Sequence, residues 1–199
     1  MSKKKNEDED LSPPITQSNK QKRIDEEKMM KSMKWNFDVP RKEYVEQLRD
    51  QLQACVNRTL LTQMFHDDFK QHIHAVSTMQ KAIDDATDAV ISNLDLILRW
   101  LSLRFFETNP TVIVKAIEFM QALFAMLASR SHILIDYEAS AFLPYFIQKL
   151  GDPKDPIRKG FKQITKQISQ VYPPAKLFNY LISGLTSKNA RQRAGKFSN

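Results

Sequence analysis

The sequence predicts an all-α fold, a helical solenoid built of stacked helix pairs. Three observations carry that prediction. From Tyr44 onward apolar residues recur every three or four positions, the period of a helix with one buried face. Period-two alternation is almost absent, and no Asn-Gly or Asp-Gly hairpin turn occurs. The polar turns between the apolar stretches also resemble one another, as the units of a repeat architecture do.

The elements follow in order. Residues 1–33 are expected to form a disordered, charged tail or linker. The first 28, "MSKKKNEDEDLSPPITQSNKQKRIDEEK", hold few large apolar side chains, alternate blocks of opposite charge and contain a Pro-Pro pair. Order begins near Trp35 and Phe37, where "KWNFDVP" supplies two aromatic side chains as a lid on the first helix, and Pro40 marks that helix's start. Tyr44, Leu48, Leu52, Cys55 or Val56 and Leu60 then recur along one helix face. Further helices are predicted at roughly 67–83, 87–106, 111–128, 137–150, 155–171 and 175–185, with a last start after 189.

The turns supply the repeat. "ETNPTV" (Glu107 to Val112), "DPKDPI" (Asp152 to Ile157) and "SKNARQ" (Ser187 to Gln192) each have a polar opener, a polar third residue and a helix entry at the fifth or sixth position. The first two start 45 residues apart and the last two 35, around the length of a two-helix HEAT unit. A single pair is too thin to bury its apolar face, so stacking makes the core. Within "GDPKDPIRKG", Gly151 stops one helix, Pro153 and Pro156 stiffen the turn, and Asp155 is expected to cap the next helix. Arg158 and Lys159 enter its first turn against the helix dipole, which fits a surface kept basic for a partner. An inter-repeat ion pair for Arg158 is the competing reading. Gly151, Gly160, Gly184 and Gly195 are spaced for breaks, not for phosphate cradles.

Charge is unevenly spread. The chain carries a net +7, and residues 149–199 hold eleven Lys and Arg against two Asp and Glu. That excess points to an acidic partner: protein, nucleic acid or membrane. A lone Cys55 forms no internal disulfide, which suits a reducing compartment, cytosolic or nuclear. The longest uninterrupted apolar run, "ALFAMLA", is too short to span a bilayer. His66, Asp67, Asp68, His72 and His74 do not complete a metal-binding set, because His72 and His74 diverge on a helix. Neither enzymatic activity nor a cofactor is expected. Trp100, Phe105 and Phe106 read as core. "KNARQRAGK" offers cations for nucleic-acid phosphates but lacks interleaved aromatic platforms. A nucleic-acid-binding helical module and a purely structural scaffold remain the alternatives at this stage.

The strings "SNLDLILRWLSLRFFETNPTVIVKAIEFMQALFAML", "SAFLPYFIQKLGDPKDPIRKG" and "SKNARQRA" resemble the fourth tumour-overexpressed-gene (TOG) domain of the minispindles/ch-TOG microtubule polymerases. The resemblance runs from about Lys34 to Ala194 and makes residues 34–199 a partial TOG domain. It implies a HEAT-repeat paddle, incomplete at about three and a half repeats, with apolar side chains near Phe178, Leu181 and Leu185 left uncovered. It further implies that turns along one thin edge bind the α/β-tubulin heterodimer or the microtubule lattice, supporting plus-end polymerisation and spindle organisation. Cytoplasmic, centrosomal and spindle locations and adaptor proteins come with the family; a membrane does not. Carried over by position, Phe69 in "FHDDFKQH" falls in the first edge loop, where relatives often place a tryptophan. Asn109, Pro110 and Val112 fall in the second, Lys154, Arg158 and Lys159 in the third, and Lys188 and Arg193 in the fourth.

Overall fold

Short polar side chains start four of the helices, and they do so by accepting a backbone hydrogen bond that the first turn would otherwise leave unmade. In the computed structural model, which describes residues 12–185, Asn19, Asn57, Asp68 and Asn109 each accept from an amide of the following turn. The elements are α1 (Lys20–Lys28), α2 (Lys42–Gln53), α3 (Arg58–Met64), α4 (Phe69–Asp85), α5 (Thr87–Ser92), α6 (Leu94–Arg104), α7 (Pro110–Ser129), α8 (Asp136–Gln148), α9 (Asp155–Val171) and α10 (Pro174–Leu185). A 3₁₀ turn, Lys149–Gly151, joins α8 to α9.

Two layers result. α3, α4, α7 and α9 pack in sequence on one side, and α2, α6, α8 and α10 on the other, the stacking of a helical solenoid. Between them lie fully buried Trp100, Phe119, Phe124, Phe142, Phe146 and Phe161. Each such side chain contributes about 1.5–3 kcal/mol by leaving water. Phe105, Phe142, Phe146 and Phe161 form one aromatic cluster with ring centroids 5.0–6.5 Å apart. α7 is long and apolar enough to cross a bilayer. Its buried face packs on α4 and α9, however, which is the position of a core helix.

The predicted helices recur with small shifts, and four readings are corrected. The helix expected to run unbroken past Leu60 divides at residues 54–57, where Asn57 starts α3. Asp155 is not the cap of α9: Lys154 holds that position, and Asp152 Oδ1 accepts from the Lys154 amide at 3.0 Å instead. Gly160 is no break, since it lies inside α9. A Cβ there would come within 2.8 Å of Ile117 Cγ2, so the missing side chain brings α9 close to α7.

The fourth correction is the largest. Residues 12–33 are not a disordered tail; they are built onto the α6–α8 layer. Ile15 is buried and bridges Val56. Arg23 forms a bidentate ion pair with Asp95, at 2.7 and 2.8 Å, and also donates to the Ser92 carbonyl at 3.0 Å. Lys20 pairs with buried Glu138, and Glu27 accepts from Arg99 at 2.8 Å. The order comes from partners about forty or more residues away, which local composition does not reveal. Past α1, Trp35 donates to Ser102 Oγ at 3.0 Å, and Phe37 packs on Tyr44, Phe106 and Tyr145. The expected aromatic lid exists, and it covers α6 and α8 as well as α2.

Candidate functional site

The loops entering α4, α7 and α9 share one edge. His72, in the first turns of α4, meets Arg104 and Glu107 at the end of α6, which ties the first loop to the second. A depression of about 230 Å³ lies between the second and third, walled by Phe106, Tyr145, Lys149 and Pro153 among others.

The first loop is acidic. Asp68 spends its carboxylate on the Lys70 amide, at 2.9 Å, and His66 Nδ1 accepts from the Asp68 amide. Phe69, the first residue of α4, is half-buried, so only part of its ring faces outward.

The second loop is locked by a buried polar triad. Arg104 Nη1 lies 2.6 Å from both His72 Nδ1 and Glu107 Oε1. A 3.1 Å approach of His72 Nδ1 to Glu107 would need a proton on that nitrogen. The shorter Arg104 contact needs a lone pair on the same nitrogen, since a guanidinium only donates, so the two contacts alternate with the His72 tautomer, and the Glu107 contact forms when Nδ1 carries the proton. The contact with His72 and the Arg104 charge hold the Glu107 carboxyl below its ordinary range, against the effect of burial. Burial pulls the Arg104 guanidinium down to about 10, so it stays cationic at neutral pH. Asn109 is committed to capping, its Oδ1 accepting from the Thr111 amide at 2.9 Å, while Pro110 is exposed. Val112 is fully buried. As the third residue of α7 it turns into the core, which removes it from any contact surface.

The third loop carries the basic side chains. Residues 149–159 hold four cations and two carboxylates, a surplus of two. Arg158 is largely structural: it donates to the Asp152 carbonyl at 2.9 Å and pairs with Asp155 within the same turn, not across repeats. Lys159 is 76% exposed and pairs with Asp155 at 2.7 Å. The Lys159 hydrogen bond, with both nearby cations, keeps the Asp155 carboxyl low. Lys154 is exposed, and its ammonium has no partner among the described residues. Lys188 and Arg193 lie outside the described residues.

Two edge residues escape pattern reading. Phe106, expected in the core, is 36% exposed and flanked by Phe37 and Tyr145. Lys149 borders the depression and reaches Asp152 at 3.5 Å. The adjacent pair "FF" past the end of α6 was the available signal, because consecutive helical residues point about 100° apart and two large rings at a helix end do not share one direction.

An edge of inter-helix loops on a two-layered helical-repeat paddle is the architecture of TOG domains, and the comparisons agree. The fold superposes with a TM-score of 0.89 and 41% identity on a solved structure from work on how TOG–tubulin binding specificity promotes microtubule dynamics and mitotic spindle formation; the match covers 93% of this chain and 76% of that one. A TOG domain of Caenorhabditis elegans Zyg9 gives 0.87 and 36%, over 93% and 70% of the two chains. In sequence, the chain is 44% identical over 193 residues to Protein mini spindles of Drosophila melanogaster, covering 96% of this chain and 10% of that protein. It is 39% identical over 175 residues to Zygote defective protein 9 of C. elegans, over 88% and 12%. No family model matches. The chain belongs to the TOG-domain family of mini spindles and ch-TOG. It spans about a tenth of the length of these full-length relatives.

Proposed function

We propose that the chain binds the α/β-tubulin heterodimer, free or in the lattice, through the edge formed by the three loops, and that within a longer polymerase it contributes to microtubule growth and spindle organisation. The observation that carries this reading is the shared edge itself: a rigid second loop, a shallow depression floored by aromatic rings, and exposed Lys154 and Lys159 beside it. Phe69 and Phe106 supply apolar contact, the lysines long-range attraction to an acidic surface. Of the nine positions that the resemblance implies, Phe69, Pro110, Lys154 and Lys159 retain surface for a partner, and Arg158 and Asn109 shape the loops that present it. Placement at plus ends, the centrosome and the spindle, and adaptor contacts there, belong to the same proposal.

The test is sedimentation with unpolymerised tubulin beside RNA and duplex DNA of matched charge. Tubulin-selective binding is expected, with Lys154→Glu/Lys159→Glu weakening it by several-fold to about tenfold and flattening its salt dependence. Equal binding to all three polyanions, or an unchanged affinity in the folded double variant, would refute it.

A further inference from the structure

The segment "KMMKSMK", residues 28–34, presents three methionines and three lysines on a surface the edge loops do not touch. Met29 is 61% exposed, Met30 89% and Met33 36%. Such apolar exposure within five residues is unusual for a packed segment. It is not a loose one. α1 ends in a turn in which the Met30 amide donates to the Glu27 carbonyl at 3.1 Å and the Lys31 amide to the Glu26 carbonyl at 2.9 Å. Met30 itself holds a φ of 54°, a left-handed conformation unfavourable to a side chain of its size. Gln47 then clamps Met33 from both sides, accepting from its amide at 2.7 Å and donating to its carbonyl at 3.0 Å. Fixed backbone with outward methionines is a prepared surface; polarizable, adaptable thioethers suit contact with varied apolar side chains.

Beside it lies a depression of about 580 Å³, walled by Met30, Met33 and Tyr44 together with Lys31 and Lys34. It adjoins a second of about 490 Å³, sharing Glu27, Lys34 and Asn36, with Arg99 in the far wall. Of the buried polar atoms left unsatisfied around the two, the Arg99 nitrogens can only donate and the Ser32 hydroxyl can donate or accept. Ser32 Oγ in the first and Arg99 Nε and Nη1 in the second are buried without a partner. Arg99 is 1% exposed and stacked near the Trp35 and Tyr137 rings. Among the described residues, the ammonium groups of Lys28, Lys31 and Lys34 have no carboxylate partner. The carboxylate that lines both depressions, the half-buried Glu27, is already taken by Arg99 Nη2 and the Tyr137 hydroxyl. A surface short of acceptors and rich in cations recognises carboxylates; its methionines recognise an apolar side chain.

We infer that this groove docks a short acidic segment of a partner protein that carries an aliphatic or aromatic residue among its carboxylates. The apolar residue seats on Met30, Met33 and Tyr44, and the carboxylates pair with Lys31 and Lys34. The site is separate from the edge, since no residue lining it belongs to the three edge loops.

The test uses methionine methyl NMR on the full chain, titrated with a short Glu/Asp-rich peptide built around one Leu. The Met30 and Met33 methyls should shift saturably, while those of Met64 and Met79, buried in the core, stay fixed. Lys31→Glu/Lys34→Glu and, independently, Met30→Ser/Met33→Ser should each weaken binding about tenfold with helicity unchanged. The proposal is overturned if neither methyl moves, or if the peptide with Ser in place of Leu binds equally, which would be bulk charge attraction. It is also overturned if phosphatidylserine vesicles shift the methyls and the peptide does not.

Discussion

Arg23→Ala is the substitution that most sharply tests whether residues 12–28 belong to the domain. The wild-type guanidinium is 7% exposed, and Asp95 opposite it is fully buried. It makes two bonds to the carboxylate at 2.7 and 2.8 Å, one to the Ser92 carbonyl and one to Ser18 Oγ. Truncation leaves the Asp95 charge in the interior with no countercharge. Breaking a buried pair from one side costs about 3–5 kcal/mol, a large share of the roughly 5–15 kcal/mol that holds a domain together. For a chain of this size that corresponds to a Tm roughly 10 °C lower. If α1 detaches as a unit, the loss is capped at its docking free energy, and hydrogen exchange separates the cases. Urea unfolding followed by circular dichroism gives the loss; exchange of the α1 amides shows whether the helix left alone. Arg23→Met/Asp95→Leu removes both charges and should recover most of the stability, because an apolar pair fills the space without a desolvated ion. The reasoning fails if Arg23→Ala lies within about 0.5 kcal/mol of wild type, the range of a solvated surface position. It fails equally if wild-type α1 amides exchange at unstructured rates.

One further substitution and one labelling experiment probe the interior. Because His72 and Arg104 hold the Glu107 carboxyl below its usual 4.5, its contribution is fully present above that pH and is lost as pH falls through the lower folded value. Glu107→Gln should therefore cost about 1–3 kcal/mol at pH 7 and progressively less below about pH 4.5 in parallel urea melts; a gap independent of pH would remove the charge from the account. Cys55 is buried, and burial pushes its thiol up to about 11, which leaves about one molecule in a thousand ionised at pH 8. Labelling by a disulfide reagent should track unfolding in urea, and rapid reaction of the native protein would contradict the packing around Ile15 and Cys55.

The helices were legible because their signals are local. Asn109-Pro110 opens α7, Asp68 opens α4, and the apolar period runs through each. The N-terminal packing was hidden because its partners are distant, with Arg23 and Asp95 72 residues apart. One clue was present: Asp95, Arg99 and Arg104 sit in "LDLILRWLSLR", whose other residues apart from Ser102 are apolar, and are all buried. Charges in such a helix require countercharges elsewhere, and the residues that supply them include Arg23, Glu27 and Glu107. At the edge, loop membership was readable but side-chain direction was not. Val112 is three residues into a helix whose inward face only the packing of α7 on α4 and α9 defines, and Arg158 is consumed by a turn that its own neighbours build.

The second edge loop is gripped from both layers, and that bears on how the edge would meet a partner. On one side the Arg104–Glu107–His72 triad fastens it to α4. On the other, Phe106 lies against Phe37 and Tyr145, with centroids 6.1 and 6.3 Å away, and the Phe37 amide donates to the Tyr145 hydroxyl at 3.0 Å. Each aromatic contact contributes about 0.5–1.5 kcal/mol beyond the area it buries. Phe37 packs on Trp35, and Arg99, which lies over the Trp35 ring, pairs with Glu27 of α1, so contacts run from the charged N-terminal stretch to the edge. The third loop needs no such support, because Asp152, Asp155 and Arg158 fix its turn internally. Loops ordered in the free protein lose little freedom on association, so in the proposed tubulin contact attraction by Lys154 and Lys159 would go to binding and not to folding the surface.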